Sequence, residues 1–128
     1  MIENAEEALK RACMQTNSIV SEYSAGPIFM QGKEKGAHEW IIEFDKDPEN
    51  FEQFIDCLDK GLQEVNSDYE AKRYNNMTLN RPIVHKARTK LFIEWMASRG
   101  KLGGQNKVPR LSNTREFIEP LIELNNRS

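Results

Sequence analysis

The chain has 128 residues, 38% of them apolar and 30% charged, which is enough for one domain with its own core and too apolar for a disordered segment. Its 18 Lys and Arg against 20 Asp and Glu leave a net charge of -2, which excludes a broad basic field for nucleic acid or anionic lipid. No apolar run reaches the length of a membrane span, and the acidic, amphipathic start from Met1 to Lys10 is unlike a signal peptide; a soluble, cytoplasmic protein with no nucleic-acid or membrane partner is expected.

Ala5, Ala8, Leu9, Ala12 and Cys13 recur at helical spacing behind a capping box of Asn4 and Glu7, predicting an amphipathic helix that ends near Thr16. Ile19 to Tyr23 and Ile28 to Gln31 read as two short strands separated by Ala25-Gly26-Pro27, with a polar turn from Gly32 to Gly36. The next strand, His38 to Phe44, alternates clearly. Trp40, Ile42 and Phe44 share one face, and Glu39, Ile41 and Glu43 share the other. Asp47 is the expected cap of a helix with Pro48 at its first position and a stripe of Phe51, Phe54, Ile55, Leu58, Leu62 and Val65.

Ser67 and Glu70 form a capping box for a short helix through Arg73, and Pro82 to Lys86 reads as a strand with its proline at the start. Phe92, Trp95 and Met96 mark a further helix, stopped by Gly100 as a left-handed C-cap. Asn113 and Glu116 are placed to cap a last helix carrying Phe117, Ile118, Leu121 and Leu124, with Pro120 expected to bend it. The order of elements predicts an α+β domain, residues 1–128, with helices packed in two or three layers on a mixed or mostly antiparallel sheet of about four strands.

Cys13 and Cys57 lie on the apolar side of helical patterns and read as small core residues, in keeping with a reducing compartment. Together with His38 and His85 they lack the close spacings of a zinc site, so no metal ligands are assigned. Glu39 and Glu43 read as a solvated or interdomain surface, and His85 as a structural or interface residue. Folding explains the stretch Lys101 to Asn113 least: it has paired glycines, Lys107, Arg110 and no apolar period. Gly103 and Gly104 permit close approach of a backbone to a ligand, while Lys107 and Arg110 supply charge to phosphate or carboxylate oxygens. A solvated loop accounts for the same pattern equally well.

The run Gly-Gly-Gln-Asn-Lys-Val-Pro-Arg at 103 to 110 resembles the Gln-Tyr-Lys-Thr-Pro-Arg signature of the plant auxin-conjugating acyl-acid amido synthetases, and their bacterial relatives more closely still. The blocks Ser21 to Pro27, Gly36 to Trp40, Leu62 to Arg73 and Pro82 to Lys86 are similar, in the same order, to the C-terminal domain of that bacterial branch. The resemblance implies the small, mobile C-terminal domain of an adenylate-forming enzyme. It further implies an N-terminal adenylation domain in cis, a carboxylic acid and an amine as substrates, and ATP and Mg2+ bound mainly by the absent domain.

By the same resemblance Lys107 is the catalytic cation, Arg110, Gly103, Gly104 and Gln105 contact nucleotide or phosphate, and Tyr69, Lys72 and Arg73 contact nucleotide or the large domain. A solvent-facing helix start with a packed tyrosine is the competing account of Tyr69, Lys72 and Arg73. No phosphate-binding strand-to-helix loop is present, so this chain is expected to be inactive alone and to belong to a longer protein, starting at a domain boundary just before Asn4. The alternative function is a freestanding α+β binding module for RNA or a protein partner.

Overall fold

In the computed structural model the described residues are 5–32, 34–74, 78–100 and 108–127. The described elements are α1 (Ala5–Thr16), β1 (Ile19–Ile28), β2 (Ala37–Lys46), α2 (Phe51–Val65), α3 (Ser67–Arg73), β3 (Ile83–Lys86), α4 (Leu91–Ser98) and α5 (Ile118–Asn126). The sheet order is β1-β2-β3, with β1 antiparallel and β3 parallel to β2. It is a mixed sheet of three strands, and the nearest approach to a fourth is a single parallel bridge from Leu111 to Ala25 on the outer edge of β1.

Alternation along β2 divides the core as its sequence predicts. Trp40 and Ile42 are fully buried with Phe54, Leu58 and Leu62 of α2 and Ala8 and Ala12 of α1. Ile41 points the other way, among Leu91, Phe92, Trp95 and Met96 of α4 and Ile118 and Leu121 of α5. Helices therefore cover both faces, in three layers. Small residues let the first layer close: a Cβ on Gly61 would stand 3.2 Å from the Cα, Cβ and O of Ala8, so α1 and α2 pack nearly backbone to backbone.

Several boundaries differ from the sequence expectation. The supposed break at Ala25-Gly26-Pro27 is the end of one continuous β1. Pro27 donates no N–H but is tolerated where the strand has a free edge, and its carbonyl accepts from Arg115 Nη1 at 2.9 Å. Gly26 is needed there because a Cβ would meet Ile118 Cγ2 at 2.9 Å and the Thr114 carbonyl at 3.0 Å. Beyond Ile28 the chain enters a turn closed by Gln31 and Glu34, leaving Phe29 and Met30 exposed.

Asn50, rather than Asp47, caps α2 by accepting from the Gln53 N–H at 3.0 Å; Asp47 pairs with Lys86 instead. Asn66, rather than a box of Ser67 and Glu70, opens α3, and it also closes α2. Its N–H closes α2 on the Leu62 carbonyl, and its side chain accepts from Tyr69 N–H to open α3. Helix α5 starts at Ile118, which puts Pro120 in the first turn, where a missing N–H breaks no helical bond. Gly100 is left-handed, with φ 67°, as expected of the residue that stops α4. The proposed Asn4 cap lies outside the described residues.

Candidate functional site

Of the residues singled out in the glycine-bearing loop, Lys107, Gly103, Gly104 and Gln105 lie outside the described residues. The chain from Val108 onward is described, and it is fastened to β1. Ser24 Oγ donates to the Pro109 carbonyl at 2.7 Å. Ala25 N–H donates to the Arg110 carbonyl at 2.7 Å, and Ser112 N–H returns to the Ala25 carbonyl at 3.2 Å. Leu111 and Val108 add apolar anchors, one packed against each core cluster.

Arg110 turns its side chain along β1. Its Nε donates to Glu22 at 2.7 Å and Nη1 to Glu6 at 3.2 Å, and the guanidinium lies 5.3 Å from the Tyr23 ring centre. Its pKa is raised, chiefly by the hydrogen bond to Glu22. Burial, with the nearby Glu6 charge, pushes the Tyr23 phenol up to about 12. The guanidinium is thus held by carboxylates, and any phosphate reaching it competes with them.

Tyr69 and Arg73 converge on one buried carboxylate. Tyr69 Oη donates to Asp59 Oδ1 at 2.6 Å, and Arg73 meets both Asp59 oxygens at 2.8 and 2.6 Å. Arg73 Nη1 also reaches the Leu79 carbonyl at 3.2 Å, so the group ties α2, α3 and the approach to β3 together. Burial works to raise the Asp59 carboxyl, but the hydrogen bonds from Arg73 and Tyr69 outweigh it and hold the pKa low. Burial and Asp59 push the Tyr69 phenol far above its usual range. Lys72, on the exposed side of α3, pairs with Asp68 at 3.0 Å.

Beside this group is a cavity of about 250 Å³. Tyr69, Lys72, Asn66 and Asp68 come from α3 and its cap, Pro27 and Phe29 from the end of β1, and His38 from β2, with Leu79 and Asn113 closing it. Two predicted residues, Tyr69 and Lys72, therefore meet the end of the loop at Asn113. Arg110 and Arg73 are not among the cavity's lining residues. The His38 ring lies 5.3 Å from that of Tyr69. Burial, then the Lys72 charge, lowers the imidazole pKa to about 4, and its Nδ1 is buried without a hydrogen-bond partner among the described residues.

The sequence reading gives His38 no site role and sets it aside as a metal ligand, although a signal is present. It falls two residues before Trp40, on the inward face of the alternating strand. Asn113 gave no such signal, since it had been read as a helix cap. Glu39 and Glu43, read as surface, hold the fold instead. Glu39 is buried between His85 Nε2 at 2.7 Å and Arg115 Nη2 at 2.8 Å. Glu43 accepts from the N–H groups of Lys90 and Phe92 at 3.0 and 3.3 Å, capping α4 from the sheet. The Glu39 contact gives His85 a structural partner.

The fold belongs to a known kind of domain. The sequence profile of the GH3 family C-terminal domain matches residues 3–116, and the chain belongs to that family. Among solved structures it is similar to a GH3.15 acyl acid amido synthetase, with a TM-score of 0.71 and 17% identity over 94% of this chain and 24% of that one. It is similar also to an AtGH3.15 acyl acid amido synthetase in complex with 2,4-DB, with a TM-score of 0.71 and 16% identity over 94% of this chain and 23% of that one. At such identities the likeness is one of fold, and the chain spans about a quarter of the length of these structures. No curated protein matches. Among the described residues no helix is long and apolar enough to cross a membrane.

Proposed function

We propose that this chain is the mobile C-terminal domain of a cytoplasmic, ATP-dependent acyl-acid amido synthetase whose N-terminal adenylation domain lies in cis. The observation that carries this reading is the family match across residues 3–116, supported by the shared fold of the amido synthetases above. In this reading a carboxylate attacks the α-phosphorus of ATP, pyrophosphate leaves, and an amine then attacks the acyl carbon and releases AMP. Mg2+ and most of the nucleotide are assigned to the large domain.

The contribution assigned to this domain is charge delivered on closure. Negative charge gathers at the α-phosphate during adenylation, and a positioned cation stabilises it more than it stabilises the separated reactants. Lys107 is that cation, with the Gly103, Gly104 and Gln105 backbone and Arg110 beside the phosphates. Fastening of Pro109 to Ser24, two residues after Lys107 in the chain, supports the assignment: a rigid sheet edge carries the segment as the domain turns. Tyr69 and Lys72 face the cavity at the loop's end, while Arg73 maintains the fold around it. A binding module for RNA draws less support, because a net charge of -2 provides no broad basic field for an anionic partner.

The test is ATP–pyrophosphate exchange by the full-length enzyme with candidate acids. Lys107→Ala is expected to slow exchange by about 10²–10³, the scale of losing one preorganised charge contact, with Lys107→Arg retaining part of the rate. Exchange at an unchanged rate in Lys107→Ala removes the residue from this role.

A further inference from the structure

Among the described residues, the chain after the loop pairs with β1 through a single bridge, Leu111 to Ala25, and one side chain ends that pairing. Ala25 N–H donates to the Arg110 carbonyl, and strand alternation makes Tyr23 the next residue whose N–H faces the same edge. That N–H donates instead to Glu22 Oε1 at 3.1 Å. The same oxygen accepts from Arg110 Nε at 2.7 Å. We propose that Glu22 is a positioning residue for the adenylation step, acting through Arg110: it sets where the chain joins the β1 edge and how the guanidinium is held. The proposal rests on the ligase reading above, because it takes the roles of Lys107 and Arg110 from that reaction.

Local geometry favours Glu22 over the other carboxylate on Arg110. The pairing of β1 with β2 shifts register between Ile19 and Val20 and again between Val20 and Glu22, and such irregularities re-aim a side chain at a sheet edge. The Glu22 side chain is 24% exposed, whereas that of Glu6 is 72% exposed. Water therefore screens the Glu6 pair, which holds the guanidinium weakly. The Glu22 bond is also the shorter, at 2.7 Å against 3.2 Å. Arg110 is thus tied twice, its carbonyl to the Ala25 N–H and its Nε to Glu22. With Nε and Nη1 both bonded to carboxylates, the plane of the guanidinium is set. A cation fixed before the reaction needs no reordering as negative charge develops.

The test is pyrophosphate exchange by the full-length enzyme carrying Glu22→Ala, Glu22→Gln, Arg110→Ala, or Glu22→Ala and Arg110→Ala together. Glu22→Ala is expected to lower kcat by about 10–10²-fold, the scale of misplacing a group by about 1 Å, and to leave the KM of the acid unchanged. Glu22→Gln keeps an oxygen for the Tyr23 N–H but no charge for Arg110, and its kcat should fall between those of Glu22→Ala and the wild type. In the Arg110→Ala background, Glu22→Ala should slow exchange no further, because the two residues act as one unit. Additive losses, or a raised acid KM with kcat unchanged, overturn the proposal. The contact is also read without ATP. The chain has its own core on both faces of the sheet, so NMR of the 128 residues can follow the Arg110 Nε–H signal. Glu22→Ala should speed its exchange with water and leave the Ile41 amide unchanged, and a signal indifferent to Glu22 overturns the proposal. Wild-type exchange beside a fully active Glu22→Ala sinks this role alone, whereas no exchange by the wild type with any candidate acid sinks the ligase reading and this role with it.

Discussion

Ala25 and Arg110 join the chain after the loop to the sheet: the Ala25 N–H donates to the Arg110 carbonyl at 2.7 Å. The next bond in the same ladder runs back from Ser112 N–H to the Ala25 carbonyl. The chain thus re-enters the domain along the outer edge of β1, whose backbone groups act as the template.

Ser24 reinforces this edge through its fully buried hydroxyl, which donates to the Pro109 carbonyl. Ser24→Ala removes that bond and is expected to destabilise the domain by about 1 kcal/mol. The loss should be local. Hydrogen exchange ought to quicken at the Ala25 and Ser112 amides well before the Ile41 amide in the centre of the sheet. Equal acceleration at all three positions would show that Ser24 supports the whole fold rather than the loop.

The pair of Asp59 and Arg73 is buried enough, with side chains 10% and 12% exposed, for loss of one member to strand the other. Arg73→Leu is expected to lower stability by on the order of 3 kcal/mol, measured as a shift of the urea midpoint. Acid should act on the same group. The Asp59 and Glu39 carboxyls are both held below their ordinary values of 3.8 and 4.5, so near those values the unfolded chain binds more protons than the folded one. Their contribution is present in full above about pH 5 and is lost as the pH falls through the folded values. Arg73→Leu should flatten this acid limb, and an unaltered limb would place the pH dependence elsewhere.

Glu43 substitutes for a local cap that α4 lacks, since Lys90 occupies the cap position at φ 70° without a side-chain bond. Glu43→Ala is expected to destabilise by about 1–2 kcal/mol, the scale of losing a helix cap. Lys90→Gly should have the opposite sign, raising stability by up to about 1 kcal/mol, because glycine enters the left-handed region without a Cβ penalty. Thermal unfolding of the two variants separates these effects. A destabilised Lys90→Gly would mean that its stem contributes more than its backbone strain takes away.

Local pattern carried far in this chain. The period of two in His38 to Phe44 placed Trp40, Ile42 and Phe44 on one core face and Ile41 on the other, because side chains alternate wherever a strand is formed. The apolar stripe of α2 and the glycine after α4 were equally readable. Caps were legible only to within a few residues, since Asp47, Asn50, Asn66 and Ser67 all suit the position and the choice depends on which partner each side chain meets. Ala25-Gly26-Pro27 was misread because glycine and proline commonly mark turns, whereas here they pass beneath Ile118 and accept Arg115.

By itself, then, the sequence determined the layered α+β class, the two faces of the central strand, and through its ordered blocks the family. Those features follow from residues close together in the chain. The tertiary structure alone decided that Arg110 is held by Glu22, 88 residues away, that Glu43 caps a helix 47 residues further on, and that His38, Tyr69, Lys72 and Asn113 enclose one cavity. Such partners are set by how the layers pack, and a polar side chain takes whichever opposite charge or unpaired backbone group the packing brings within about 3 Å.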